Sequence, residues 1–158
     1  MNVPLYEKIW MWMAGGLVVG FVATVLITSI GGALQPPSHV ETIDPTQVWR
    51  DPRFAHPGVT VDHQGATVVA VGMMFAFNPA VIRVPAGKPV TFRMTSADVT
   101  HGFLIVGTNA NTMLVPGYVS QFTTSFRQPG EYLIVCHEYC GVGHHMMAAK
   151  ITVTEPGS

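Results

Sequence analysis

The chain has 158 residues and a formal net charge of −1, from eight basic and nine acidic side chains, so it has no basic excess to hold a phosphate backbone and nucleic acid is excluded as a partner. Hydrophobic residues make up 48% and charged residues only 11%, against roughly 25% charged in ordinary soluble domains. The length allows one domain with a real core and an appendage.

The apolar excess lies at the N-terminal end. Between Ile9 and Val40 there is no Asp, Glu, Lys or Arg, and IWMWMAGGLVVGFVATVLITSI (residues 9–30) is almost wholly apolar. At about 1.5 Å per residue, a helix of that length crosses the roughly 30 Å hydrocarbon core of a bilayer. Trp10 and Trp12 stand at its start, where indole rings favour the headgroup zone. A membrane anchor is predicted. A cleaved signal peptide would show a shorter apolar run, about 7–15 residues, behind a basic stretch, whereas only Lys8, beside Glu7, precedes this one. Lys8 and the terminal amine favour a cytoplasmic N-terminus, which would put everything after Ile30 outside. Gly16 and Gly20 form a GxxxG, and Thr24 and Thr28 continue it at spacing four. Small residues on one stripe let another membrane helix approach closely.

Residues 1–34 are therefore assigned to the N-terminal segment and anchor, and residues 35–66, rich in Pro and Gly, to an extended linker or lid. From Thr67 to Glu155 the texture changes to short β-branched and aromatic runs, among them TVVAVGMMFAF, PVTFRM, GFLIV, YVSQFTTSF and EYLIV. The tripeptides PAG, VPG and QPG between them are turn signals. Strands at that spacing predict a mainly β domain, a sandwich or barrel.

Both cysteines fall in CHEYCGVGHHMM (residues 136–147). A Cys136–Cys140 disulfide would close a very small loop, constrain little of the unfolded chain and leave His144 and Met147 without a reason. Structural zinc suits two thiols and two imidazoles but rarely uses methionine. Copper fits more of the cluster, because thiolate and thioether sulfur are soft ligands and imidazole suits copper. A mononuclear blue-copper site needs one cysteine on this loop. Two thiolates can instead bridge two copper ions, each with one imidazole and one weak outer ligand. His101, in DVTHGF between two strand-like runs, is the candidate for the second imidazole.

The spacing Cys136-x-x-x-Cys140-Gly141-x-x-His144-x-x-Met147, with His101-Gly102-Phe103 upstream, resembles the binuclear copper (CuA) site of cytochrome c oxidase subunit II. A single anchor, a Pro-rich connector and shorter matches are similar to the short, single-anchor subunit II of ba3-type haem–copper oxidases. Those matches are YEK, IDPT, IRVPAG, SADVTHGF and PGEY. The resemblance implies a cupredoxin-like Greek-key β-sandwich or barrel over residues 67–155, with one N-terminal transmembrane helix. It implies two copper ions, bridged by Cys136 and Cys140. His101 and His144 would each cap one ion, Met147 would be a weak ligand, and Glu138 would contribute its backbone carbonyl.

His137, His145 and Met146 fall off the spacing and are expected to be bystanders, while Phe75 and Phe77 are expected to line the site. In this family a carboxylate at the start of the helix lies near a proton-channel entrance, a position Glu7 matches. The implied partners are a haem-bearing catalytic subunit in the membrane and cytochrome c as donor. The implied activity is that of a proton-translocating oxidase, with this chain as its electron-entry module in the cell membrane. The apolar segment contains no histidine to hold haem, so the chain cannot reduce oxygen alone. A free-standing, membrane-tethered cupredoxin or copper carrier is the competing reading.

Overall fold

The computed structural model describes residues 4–31 and 41–155, which fall into two separate compact units. The first holds helix α1, Leu5–Gly31, of which residues 5–29 are long and apolar enough to cross a membrane. Glu7 lies in the first turn, where a negative charge complements the unpaired N–H groups. The hydroxyls of Thr24 and Thr28 donate to the carbonyls of Gly20 and Thr24, each at 2.8 Å. Both hydroxyls are thereby satisfied within the helix, as an apolar solvent requires.

The second unit is built from two sheets. The first sheet contains β1 (Glu41–Thr42), β2 (Gly58–Val61), β3 (Ala66–Met73), β4 (Ala76–Asn78), β6 (Pro89–Ser96) and β9 (Tyr118–Ser125), in the order β1-β9-β6-β3-β2 with β4 also on β3. The second contains β5 (Val81–Pro85), β7 (His101–Ile105), β8 (Asn111–Leu114), β10 (Gly130–Val135) and β11 (Ala148–Thr154), in the order β5-β11-β10-β7-β8. The pairs β3–β6 and β5–β11 are parallel and the others antiparallel. Strict alternation sets the inner face, as in β6, where Val90, Phe92 and Met94 are buried. Phe103 stands at the centre, with Phe77 edge-on at 5.4 Å and Phe92 tilted at 5.7 Å between ring centroids. The glycines of two predicted turns, Gly87 and Gly117, have φ of +74° and +89°, a region that side chains with a Cβ avoid.

The stretch from residue 41 to 61, expected as linker, is instead packed onto the sandwich. It supplies β1, a 3-10 helix (Pro45–Arg50) and β2, and it buries Ile43, Val48 and Phe54 against Val71 and Val119. The Asp44 carboxylate caps the 3-10 helix by accepting from Thr46 N at 2.9 Å. An ion cluster secures the same stretch. Arg93 on β6 donates to both Glu41 oxygens at 2.8 and 2.7 Å, and Arg53 joins Glu41 to Asp51. Prolines and isolated apolar residues offer no period to read there. Residues 35–40 of the expected linker lie outside the described residues.

Candidate metal centre

Strands β10 and β11 form an antiparallel pair that places Val135 opposite Ala148, so residues 136–147 form the loop of a hairpin held at both ends. The same strand β10 pairs with β7, Val135 opposite Leu104, which brings the start of β7, and hence His101, to that end of the sandwich. This topology unites a histidine and a cysteine loop that are far apart in sequence.

The ligand atoms of His101, Cys136 and Cys140 lie within 4.8 Å of one another. The two sulfurs are 3.9 Å apart and both thiols are free. A disulfide needs about 2.05 Å, so the disulfide reading is set aside. Cys140 Sγ lies 3.6 Å from His144 Nδ1 and 3.7 Å from Met147 Sδ, and Cys136 Sγ lies 3.2 Å from the Glu138 carbonyl oxygen. All six expected donors are thus in one cluster. His101 is fully buried, Cys136, Cys140 and Met147 are nearly so, and His144 is half-buried.

The best indicator of purpose is the orientation of His101. Its Nε2 lies 2.8 Å from Asp98 Oδ1, which fixes the tautomer with Nε2–H donating. The other nitrogen, Nδ1, then carries a lone pair, is buried, and has no hydrogen-bond partner among the described residues. A buried, unpaired acceptor is costly, and here it belongs to a histidine whose ring offers a ligand atom within 4.8 Å of both thiols. A soft metal ion removes that cost, and the set of two thiols, a thioether and two imidazoles is the chemistry copper prefers. Zinc would have no use for Met147.

Burial pushes the Cys140 thiol up, and neighbouring Cys136 adds to the rise. Cys140 therefore keeps its proton in the metal-free chain, and metal binding must displace it. Burial also pushes Asp98 up. Hydrogen bonds from His101 and from the Val99 and Met74 N–H groups outweigh it, so its carboxyl titrates below the usual value.

Sequence reasoning overlooked Asp98, although it stands three residues before His101. Its second oxygen accepts from Met74 N in the β3–β4 turn. The next residue, Phe75, has a φ of +66° and carries its ring against the glycines of the cysteine loop. A Cβ on Gly143 would come within 2.5 Å of that ring, and one on Gly141 within 3.2 Å. A single connected path thus links His101, Asp98, the β3–β4 turn and the loop. Phe77 sits deeper, in the core against Phe103. His137, His145 and Met146 are all exposed, and the His137 ring turns to Asn111. Glu7 lies in the other unit, exposed on the first turn of α1.

A family model described as cytochrome c oxidase subunit II, periplasmic domain, matches residues 60–154. The chain is 38% identical over 156 residues to a cytochrome c oxidase subunit 2 of Thermus thermophilus, covering 95% of this chain and 92% of that one. A second Thermus thermophilus protein of the same name is 40% identical over 136 residues, 84% of this chain and all of the other. Among solved structures, a chain of a heme-copper terminal oxidase dimer superposes with a TM-score of 0.65 at 32% identity, covering 94% of this chain and 99% of that one. The periplasmic domain of subunit II of cytochrome oxidase from Bradyrhizobium japonicum shares the fold, with a TM-score of 0.53 at 20% identity over 61% of this chain and 88% of that one. On the ligand spacing, the sandwich and these matches together, the chain belongs to the cytochrome c oxidase subunit II family.

Proposed function

We propose that this chain is the electron-entry subunit of a haem–copper oxidase, holding two copper ions between Cys136 and Cys140, with cytochrome c as donor and haem in the catalytic subunit as acceptor. The observation that carries the reading is the gathering of six donor residues in one cluster, among them His101, the histidine with a buried, unpartnered Nδ1. Six donors exceed what one four-coordinate ion uses. Two ions would be held by Cys136, Cys140, His101 and His144, with Met147 and the Glu138 carbonyl as weaker ligands. When bound, the copper pair supplies one reversible electron whose charge is spread over both ions.

The protein's own residues supply rigidity and dryness. Asp98 locks the His101 ring in rotation and tautomer, so the nitrogen lone pair is aimed before any metal arrives. Phe75 fills the space beneath Gly141 and Gly143, which keeps the loop from collapsing or swinging. Near-complete burial of Cys136, Cys140 and Met147 excludes water from the sulfurs. The outer face of the same loop is apolar and exposed, with Tyr139 79%, Val142 88% and Met146 68% accessible. An exposed apolar group of that kind marks a contact surface, and cytochrome c would dock there. Residues 1–34 serve as a single-pass anchor with the N-terminus in the cytoplasm, which puts the copper domain on the outer side, and Glu7 near the proton entrance of the catalytic subunit.

Purification tests the assignment. The tagged full-length chain, extracted in mild detergent, should co-elute with a haem-bearing membrane polypeptide. A chain that elutes alone with its copper is instead a free-standing carrier.

A further inference from the structure

His137 lies next to a proposed copper ligand, yet it points away from the cluster and makes a defined contact of its own. Its Nε2–H donates to Asn111 Oδ1 at 2.6 Å, reaching from the cysteine loop to the first residue of β8. Its Nδ1 lies 3.7 Å from the carboxylate of Glu138, and the side chain is only 27% exposed. The ring rests on Gly102, where a Cβ would come within 2.7 Å of His137 Nδ1 and 2.8 Å of the Glu138 backbone N. Gly102 directly follows His101, and Asn111 pairs with Leu104 across β7 and β8. Ring, glycine and amide therefore clasp the loop to the strand that carries the upstream histidine.

We infer that His137 is a positioning residue, which with Asn111 and Gly102 fixes the backbone at Glu138 and so sets where its carbonyl oxygen stands relative to Cys136. The inference rests on the copper reading above, since the carbonyl matters to function as an outer ligand. The physical case is one of leverage. The Glu138 carbonyl is already 3.2 Å from Cys136 Sγ. A rotation of the peptide that follows Glu138 would withdraw the oxygen while leaving both thiols in place. A Cβ on Gly102 would come within 2.8 Å of Glu138 N and 2.7 Å of the His137 ring, so strand and ring hold the peptide that precedes Glu138 and, through it, the Cα from which the carbonyl swings. An outer ligand held in this way is tuned by residues that never touch the metal.

The test uses the full-length chain in its oxidase complex, comparing H137A, N111A and H137Q. Glutamine can extend an amide nitrogen to the same acceptor, so H137Q should behave as wild type. H137A and N111A should alter the visible copper spectrum in the same way and speed copper loss to a chelator about tenfold. In the metal-free chain the same two variants should show faster amide hydrogen exchange across residues 137–140. Copper per wild-type chain is counted first, so failure of the copper reading shows in the wild type and failure of the clasp shows only in the variants. A wild-type spectrum, copper-loss rate and exchange pattern in H137A, or an H137A effect that N111A does not reproduce, overturns the inference.

Discussion

Replacing Asp98 by alanine removes the acceptor behind a fully buried imidazole, and its effect can be worked out from the structure. His101 has no exposed surface, so its Nε2–H would lose its 2.8 Å partner without gaining bulk water. An unsatisfied buried donor of this kind costs about 1–3 kcal/mol. The Met74 and Val99 N–H groups lose the same carboxylate. The Asp98 side chain is 22% exposed, so entering water restores part of their loss. The metal-free chain should therefore lose about 2–3 kcal/mol of stability, and copper affinity should fall about 10–100-fold, as when other outer partners of metal-bound histidines are removed. D98N separates the two roles, because its oxygen can still accept from His101 while its amide group opposes Met74 N–H. It should retain most of the copper affinity and lose part of the stability. Copper loss to a chelator and the thermal midpoint of the metal-free chain are the measurements. A D98A chain that releases copper within about twofold of the wild-type rate, far below the effect expected of an outer partner, would show that the carboxylate does not orient the ring.

Gly143→Ala should destabilise the loop by about 1–3 kcal/mol through overpacking, because the added methyl meets the Phe75 ring at 2.5 Å. Adding F75A to G143A should recover part of the loss in thermal midpoint, and an unchanged midpoint in G143A alone would refute the contact. Burial pushes Glu41 up, but Arg93 and Arg53 outweigh it and hold its folded pKa below 4.5. The contribution of Glu41 is therefore complete above about pH 4.5 and is lost as pH falls through the lower folded value. E41Q should be less stable at about pH 7 and decline less on acidification, and parallel stability–pH curves for the two chains would contradict this. The exposed loop face is apolar and the chain carries a net charge of only −1. The rate of reduction by cytochrome c should accordingly fall only gently with added salt, and more sharply in Y139A or V142A at constant salt. A steep salt dependence would mean that charge, not apolar contact, guides docking.

The helix and the candidate donors of the cysteine loop could be read directly from the sequence, because each carries its own spacing. An unbroken apolar run predicts α1, and thiols, imidazole and thioether at spacings of four, four and three mark one loop. The sandwich was legible through alternation, as in Val90, Phe92 and Met94. What escaped reading has no local period. Asp98 reaches Met74 across 24 positions and His137 reaches Asn111 across 26, contacts that only the finished strand register creates. The positive φ of Phe75 shows why its ring can face the loop glycines, yet no residue beside it signals that conformation. Residues 41–61 were hidden for a related reason. Their prolines suggest a linker, while Val48 and Phe54 are single anchors whose pockets are formed by β3 and β9.

A copper count combined with electron paramagnetic resonance tests the proposed shared metal pair most directly. Purified protein should contain two copper ions per chain and be purple, and its unpaired electron should couple to two copper nuclei. One copper per chain, coupling to a single nucleus, or a metal-free chain with Cys136 bonded to Cys140 would contradict it.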